Sequence, residues 1–225
     1  MKNVHLLTNT LFGVACALLI GTKTFAEPMN LDVLKTELKT YHDSGAYQKE
    51  VEEVVKKARA FITSQVAINN QANPPKKLAV VLDIDDTTLT NYQDIVERNF
   101  NDDKKLIQKS IGRGDAPPLT PMLALYNDIL KQQVAVFFVT GRNEQLKTVT
   151  ERNLKAAGYK GWSGVYFKPK NYNAASIVPY KTQARVAITQ MGYTIIASIG
   201  DQKSDIEGDN IKRGFKLPNP YYYLP

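Results

Sequence analysis

The stretch Leu78-Ala79-Val80-Val81-Leu82, followed at once by Asp83-Ile84-Asp85-Asp86-Thr87, decides the predicted fold. Five consecutive apolar residues are typical of a strand that is buried on both faces of a parallel sheet. Two other apolar runs also end on polar residues: 134–139 before Thr140-Gly141-Arg142, and 194–199 before Gly200-Asp201. Ligands of open α/β sheets bind beyond the carboxyl ends of the strands. The three runs therefore predict both a sheet and an active site at one of its edges.

Helical segments separate these runs and complete the pattern. Apolar residues at helical spacing predict helices at 31–41, 46–68, 92–111, 122–131, 144–157 and 179–191. Two more short strands are expected, one at 165–167 and one near Phe215. Strands that alternate with helices in this way are typical of an α/β fold with a doubly wound parallel sheet.

Cysteine and histidine are scarce in this chain, and their scarcity excludes several kinds of chemistry. The single cysteine is Cys16, and the two histidines are His5 and His42. A thiol nucleophile, a disulfide and a Cys/His zinc cluster are therefore excluded after position 26. Carboxylates, hydroxyls and lysines are abundant, and carboxylate oxygens suit hard cations such as Mg²⁺.

The N-terminal segment, residues 1–26, has the parts of a secretory signal peptide. A basic start at Lys2 precedes an apolar core at 11–20, and Ala26 suits the small-residue cleavage rule. The core is about half the roughly 20 residues that a membrane span needs. A buried helix, an anchor and lipid attachment through Cys16 are the weaker alternatives. We expect an exported protein, periplasmic or secreted, with no stable membrane span.

The charge of the chain is mildly basic. The formal net charge of +7 falls to +5 when Lys2 and Lys23 leave with the signal peptide. Such an excess attracts anionic substrates at long range, but it is not diagnostic of nucleic-acid binding. The charge thus suits an anionic substrate and gives no reason to expect a nucleic-acid polymer as partner, and the sequence makes no prediction about oligomeric state.

Two aspartates directly follow the first strand. Asp83 and Asp85 lie two positions apart, so both can reach one crevice while Ile84 points into the protein. The alternatives are a plain acidic turn and a calcium loop, although Thr88 stands where a calcium loop requires glycine. The pair alone does not decide between them.

The polar residues elsewhere are also ambiguous when each is taken alone. Thr140-Gly141-Arg142 offers a hydroxyl, backbone N–H groups and a guanidinium to an anion, but it also reads as an ordinary turn. Lys181 stands at a predicted helix start, where it either meets an anion or lies on the surface. Asp201 and Asp205 suit either a helix cap or a metal site.

Taken together and in their order along the chain, four motifs resemble those of the haloacid dehalogenase (HAD) superfamily of phosphohydrolases. The motifs are Asp83-Ile84-Asp85-Asp86-Thr87, Thr140, Lys181 and Gly200-Asp201-Gln202-Lys203-Ser204-Asp205. Within the superfamily the chain is similar to exported class B and class C acid phosphatases and to plant acid phosphatases, a group that includes vegetative storage proteins. The ending Phe215-Lys216-Leu217-Pro218-Asn219-Pro220 is also shared. The sequence departs at Asp86, where class C members usually carry glutamate, and at Thr90, where they usually carry aspartate.

The resemblance implies a domain organisation and a reaction. A HAD-like Rossmannoid domain would span residues 27–225, with a small helical cap from about 30–72 and 92–118. Asp83 would attack phosphorus and form an aspartyl-phosphate, while Asp85 would act as acid and then as base. Because Asp85 must then carry a proton, an acidic pH optimum is expected.

The resemblance also implies the remaining roles in the site. Thr140, Gly141 and Lys181 would hold the phosphate, and Thr87, Arg142 and Asp205 would support the site. Magnesium would be held by Asp83, by the Asp85 carbonyl and by Asp201. The expected function is magnesium-dependent hydrolysis of phosphomonoesters, with 5′-nucleotides as the favoured substrates.

Two further functions and one substrate contact stay open. The chain could be a catalytically silent storage or binding protein on the same fold, or an adhesion module acting through Arg113-Gly114-Asp115. Tyr92, Phe100 and the tyrosines at 221–223 would either stack on a nucleobase or pack in the protein.

Overall fold

A computed structural model of the chain describes residues 27–224, and they form a five-stranded parallel sheet with helices on both faces. The strands are β1 (Lys77–Leu82), β2 (Ala135–Asn143), β3 (Gly164–Lys168), β4 (Tyr193–Gly200) and β5 (Arg213–Lys216). Their order across the sheet is β3-β2-β1-β4-β5, and every neighbouring pair is parallel. The predicted α/β fold is confirmed.

Seven α-helices are described in residues 27–224. They are α1 (Leu31–Asp43), α2 (Ala46–Asn70), α3 (Tyr92–Glu97), α4 (Lys104–Arg113), α5 (Thr120–Lys131), α6 (Lys147–Ala156) and α7 (Val178–Gln190). The single predicted helix at 92–111 is in fact two helices, α3 and α4. Between them Asn99 and Phe100 adopt positive φ angles of 53° and 59°, a left-handed conformation that a continuous helix does not contain.

The central strand explains why the polar motifs meet. Leu82 of β1 is level with Phe138 of β2 and Ile199 of β4. Residues shortly beyond these three positions therefore emerge at the same edge of the sheet. The backbone N–H of Asp83 donates to the Ile199 carbonyl at 3.0 Å, which holds the first motif against β4.

Alternate residues of β1 supply two separate cores. Leu78, Val80 and Leu82 pack on the face that is covered by α2 and α5, while Ala79 and Val81 pack with α7 on the other face. Both faces of β1 are covered by helices, as the continuous apolar run predicts.

Two segments that were assigned to the predicted cap differ in their packing. Helix α2 buries five residues in the larger core, Tyr47, Val51, Val55, Ala58 and Ile62, and so belongs to the layer on the sheet. Helix α4 buries none of its residues and lies at the crevice beyond the strand ends. The cap itself stays a prediction, and α4 is the part of it that borders the crevice.

The predictions made for residues 1–26, including the signal peptide and Cys16, lie outside the described residues. Among residues 27–224, none of the helices combines the length and apolar character that a membrane crossing needs.

Candidate active site

The turn after β1 directs two aspartates into one crevice. The backbone N–H groups of Thr88 and Leu89 both donate to the Ile84 carbonyl, at 2.9 Å each, and the Ile84 side chain is fully buried. Asp83 and Asp85, on either side of Ile84, both line the crevice beyond the strand ends. Their alternation about one buried residue places both carboxylates at the same site.

Four charged side chains from three parts of the chain meet on one side of this crevice. We call Asp83, Lys181, Asp201 and Asp205 the acidic cluster. The Lys181 ammonium donates to Asp83 Oδ1 at 2.9 Å and also pairs with Asp205. Each of the four residues is between 1% and 6% exposed, and one oxygen from each carboxylate lies within 4.8 Å of the others. Three buried carboxylates therefore lie together with one ammonium group, which pairs with two of them, Asp83 and Asp205.

This shortage of positive charge shifts the pKa values of the cluster. Burial raises the pKa of Asp83 well above its usual value; Asp205 adds to the shift and Lys181 opposes it. Burial and Asp205 also raise the pKa of Asp201, to about 6. Burial disfavours the charge on Lys181, but Asp83 and Asp205 outweigh burial and raise the lysine pKa. Lys181 therefore stays protonated, and Asp83 and Asp201 resist full ionisation.

Gly200, at the end of β4, allows the loop that carries two of these aspartates to fold back. A side chain at Gly200 would overlap the Asp205 side chain. Asp205 accepts the Gln202 backbone N–H on Oδ2 at 2.9 Å, and its carbonyl accepts the Ser198 hydroxyl at 2.6 Å. The close approach of Asp205 to β4 therefore requires glycine at position 200.

A second group of side chains, which we call the arginine cluster, surrounds the other aspartate. It consists of Asp85, Asn91, Arg142 and Thr150. Arg142 donates to Asp85 from Nε at 3.0 Å and from Nη2 at 2.8 Å, and Asn91 Nδ2 donates to the same carboxylate at 2.9 Å. Arg142 Nη1 also donates to the Thr150 hydroxyl at 3.1 Å, which fixes the plane of the guanidinium.

The arginine cluster reverses the expected protonation of Asp85. Burial alone would raise the pKa of Asp85, but the charge and hydrogen bonds of Arg142, with the hydrogen bond from Asn91, lower it below its usual value. The expectation that Asp85 is partly protonated is therefore wrong for this arrangement. The reason is that Arg142 is committed to Asp85 and not free to face an anion.

Three other predicted residues have different surroundings. Thr140 is fully buried, and its hydroxyl accepts the Arg142 backbone N–H at 3.1 Å. Gly141 lines the crevice. Thr87 donates its hydroxyl to Asp201 Oδ1 at 3.0 Å and so links the first motif to the last. The phosphate-binding roles of Thr140 and Gly141 stay predictions.

The crevice is lined by charged, polar and apolar side chains. It has a volume of about 560 Å³, and residues of both clusters line it. Its apolar lining includes Ile107 and Ile111 of α4, Leu146 and Ile177. Ligand sites commonly combine an apolar lining with a few converging polar groups in this way.

The aromatic residues that were candidates for nucleobase stacking do not act as one group. Tyr92 and Tyr221 are buried and pack against each other, with ring centroids 5.6 Å apart, and Phe100 packs on Tyr221 at 6.4 Å. Tyr222 lines the crevice, whereas Tyr223 is 73% exposed. For Tyr92 and Tyr221, packing is therefore the observed role.

Several residues of the site were missed as functional residues by sequence reasoning. Asn91 contacts both Asp85 and Asp86, Thr150 supports Arg142, and Asn219 donates to Asp201 Oδ2 at 2.6 Å. Asn219 lies in the shared ending Phe215-Lys216-Leu217-Pro218-Asn219-Pro220, which was the only signal that pointed to it.

The donor set of the acidic cluster fits a hard divalent cation. The converging carboxylate oxygens of Asp83, Asp201 and Asp205 are the ligand type that Mg²⁺ prefers, and Lys181 alone leaves an excess of buried negative charge. A cation would offset the negative charge that helps to raise the pKa values of Asp83 and Asp201. The three carboxylates therefore suit a divalent cation.

Comparison with known proteins identifies the family. Residues 17–225 match the family described as HAD superfamily, subfamily IIIB (acid phosphatase). The chain belongs to this family. The resemblance that the ordered motifs indicate is therefore confirmed.

Plant proteins are among the relatives of this subfamily IIIB chain. It is 37% identical over 150 residues to the stem 28 kDa glycoprotein of Glycine max, covering 64% of this chain and 59% of that protein. It is 34% identical over 149 residues to acid phosphatase 1 of Solanum lycopersicum, covering 64% and 58%. The aligned region thus spans less than two thirds of either relative. Vegetative storage protein 2 of Arabidopsis thaliana is 30% identical over 215 residues, covering 92% and 78%.

Solved structures support the fold of this subfamily IIIB chain. The class C acid phosphatase from Bacillus anthracis superimposes with a TM-score of 0.70 at 16% identity, covering 86% of each chain. The tungstate-bound structure of that enzyme gives 0.68 at 17% identity, covering 84% of this chain and 86% of the other. These likenesses confirm the predicted HAD-like fold.

Proposed function

We propose that the protein is a phosphomonoesterase of the acid phosphatase type, dependent on Mg²⁺, that works through an aspartyl-phosphate. The observation that carries the proposal is the position of Asp83, which is buried beside Lys181. Its carboxylate lies close enough to those of Asp201 and Asp205 for all three to hold one metal ion. Asp83 also lines the same crevice as Asp85. Membership of the acid phosphatase family supports the same reaction class.

The two aspartates would divide the chemistry. A carboxylate oxygen of Asp83 attacks phosphorus; the bond from phosphorus to the alcohol oxygen breaks, and Asp85 gives that oxygen its proton. Water then attacks phosphorus, Asp85 takes the proton of the water, and the bond to Asp83 breaks. Phosphate leaves, and both aspartates return to their starting states. Because Arg142 keeps Asp85 ionised, the ion pair has to loosen before Asp85 carries a proton.

The remaining polar groups would bind the phosphate and the cation. Asp83, Asp201 and the Asp85 carbonyl would hold Mg²⁺, with Asp205 beside them through Lys181. Bound Mg²⁺ offsets the repulsion between a carboxylate and a phosphate anion. Lys181, together with the hydroxyl and N–H groups at 140–141, would hold the phosphoryl oxygens.

The crevice supports a leaving group of nucleoside size. Its volume of about 560 Å³ lies within the usual range for small-molecule sites. The apolar side chains of Ile107, Ile111 and Ile177 can cover the faces of a base, while Lys104 and Lys168 can approach charged or hydroxylated groups. We therefore propose 5′-nucleotides as the favoured phosphomonoesters.

The same proposal extends to location. The signal-like pattern of residues 1–26 supports export, either to a periplasm or to the outside of the cell. Relatives named as stem glycoproteins in Glycine max agree with a protein that enters an export route.

A catalytically silent storage protein is the second candidate. It is favoured by the identity to vegetative storage proteins 1 and 2 of Arabidopsis thaliana over 92% of this chain. Against it, Asp83 is present together with Lys181, Asp85 and Asp201. A storage role alone does not require a buried group of carboxylates with too few cations to neutralise them.

A phosphate-release assay separates the two candidates. The full chain is incubated with a panel of 5′-nucleotides, sugar phosphates and p-nitrophenyl phosphate, first with excess chelator and then with Mg²⁺. We expect hydrolysis only with Mg²⁺, fastest with 5′-nucleotides. Full activity in chelator would overturn the metal-dependent mechanism, and no release from any substrate would favour the storage role.

A further inference from the structure

The last part of the described chain, residues 218–224, lies against Asp201 of the acidic cluster; we call it the C-terminal strap. Tyr221 anchors it, because this buried ring packs against Tyr47 of α2 at 5.7 Å and Tyr92 of α3 at 5.6 Å between centroids. The strap is thereby fixed to the helical layer on one side and faces Asp201 on the other.

Two side-chain amides converge on one oxygen of Asp201. Asn219 Nδ2 and Gln202 Nε2 each donate to Asp201 Oδ2 at 2.6 Å. The other oxygen, Oδ1, accepts the Thr87 hydroxyl at 3.0 Å. Asp201 is thus held by neutral donors, whereas Asp83 pairs directly with Lys181.

The strap decides which way both amides point. Asn219 Oδ1 accepts the backbone N–H groups of Tyr221 at 2.9 Å and Tyr222 at 3.4 Å, so its NH₂ group has to face Asp201. Gln202 Oε1 accepts the backbone N–H of Leu224 at 3.2 Å, which directs its NH₂ group the same way. An amide whose oxygen is committed elsewhere can only donate from its other end.

The strap also reaches the loop that carries Asp83 and Asp85. The Tyr222 hydroxyl donates to Asp86 Oδ2 at 2.8 Å and lies 3.4 Å from Asp201 Oδ2. Asp86 in turn accepts the Asn91 backbone N–H at 2.8 Å. One strap residue therefore connects the loop after β1 to the loop after β4.

We propose that Asn219 and Tyr222 are positioning residues for the metal site, and that the strap holds the Asp201 carboxylate in the orientation that receives a divalent cation. This inference rests on the proposed function for the identity of the cation. Neutral donors fix the carboxylate without cancelling its charge, so its negative charge stays available to a metal ion. Hydrogen bonds of this kind behind a metal ligand typically change metal affinity by about 10- to 100-fold.

Magnesium titration of the full chain without substrate tests the proposal. Binding is followed by calorimetry and by the rise in melting temperature. For Asn219→Ala we expect a Kd for Mg²⁺ raised about 10-fold or more, and for Tyr222→Phe a smaller rise of about 3-fold. Tyr223→Phe is the matched control, because its side chain is 73% exposed, and its Kd should equal that of the wild type.

A second variant is needed to tell a folding defect from a binding defect, because Asn219 also closes the turn of the strap. Asn219→Ser keeps an oxygen that can accept the Tyr221 N–H but is too short to donate to Asp201. It should fold and still bind Mg²⁺ about 10-fold more weakly, with phosphatase activity recovering at high Mg²⁺. A wild-type Kd in both Asn219→Ser and Tyr222→Phe would overturn the proposal, as would a loss of melting temperature with no change in Kd. Weakened Mg²⁺ binding in a protein that hydrolyses no phosphomonoester would uphold the strap and reject the phosphatase function.

Discussion

The acidic cluster and the arginine cluster begin two residues apart in the chain, yet their electrostatics are opposite. Asp83 shares Lys181 with Asp205 and lies close to a third buried carboxylate, Asp201, and burial raises the pKa of Asp83. Asp85 has Arg142 almost to itself in a two-point ion pair, and its pKa is lowered. The identity of a residue therefore does not set its charge state; the ratio of buried carboxylates to buried cations around it does. The acidic cluster has unused capacity for a cation, and the arginine cluster has none.

The largest expected loss of activity follows from replacing Asp83, the proposed nucleophile in the acidic cluster. Asp83→Asn should lower phosphate release by at least about 10⁴-fold with every substrate, because an amide cannot form the acyl-phosphate. Rapid-quench experiments should find no phosphoenzyme. Asp209→Asn, an exposed change of the same type, is the control and should keep wild-type rates. Trapping the phosphoryl group on Asp85 would reverse the roles of the two clusters.

The arginine cluster should respond in a way that depends on the substrate. Asp85→Asn should lower turnover of an alkyl phosphate by about 10³-fold, because a poor leaving group needs a proton. The first step with p-nitrophenyl phosphate should be affected much less, so a burst of nitrophenol and an accumulating phosphoenzyme are expected. Equal losses in the first step with both substrates would show that Asp85 does not act as the acid.

Replacing Lys181, the one cationic side chain of the acidic cluster, should lower the reaction rate less than the two aspartate changes do. It should also clearly lower the stability of the fold. Lys181→Met should lower kcat/KM by roughly 100-fold, as for the loss of one oxyanion-stabilising group. In chelator it should also destabilise the fold by about 3 kcal/mol, because Asp83 and Asp205 lose their counter-charge. Lys39→Met, an exposed change on α1, is the control. Denaturant unfolding that gives equal free energies for both variants would contradict the shared-lysine interpretation.

The smallest expected effect is the pH dependence of the metal-free protein. Burial raises the pKa of Asp201 to about 6 and that of its neighbour Asp86 to about 7. The folded state then holds protons that the unfolded chain has released, so stability is full below the ordinary aspartate pKa and is lost as pH rises through 6 to 7. In chelator we expect the melting temperature to fall by about 5–10 °C between pH 5 and pH 7.5.

Two variants sharpen that measurement. Asp86→Asn should reduce the fall, because it removes one of the raised groups. Asp209→Asn should leave it unchanged, because this exposed carboxylate belongs to neither cluster. A melting temperature that rises with pH in the chelated wild type would show that the acidic cluster is better neutralised than its contacts indicate.

Sequence patterns predicted the framework well because the framework depends on near neighbours. An apolar run such as 78–82 has to be buried whatever surrounds it, and the helical spacing within α2 marks its buried face. The same reasoning failed at 92–111, where left-handed residues at Asn99 and Phe100 divide the segment. It also did not anticipate that α2 covers the sheet while α4 borders the crevice.

By itself, the sequence determined that three strands end on polar residues at one edge, and with it which residues could meet there. Only the tertiary structure decided which cationic side chain pairs with which aspartate. Lys181 lies 98 positions from Asp83, and Arg142 lies 57 positions from Asp85. Both aspartates could in principle reach either cation, and local pattern contains no information on that choice. Packing makes it: α7 brings Lys181 to one side of the turn, β2 brings Arg142 to the other, and the strap brings Asn219 behind Asp201.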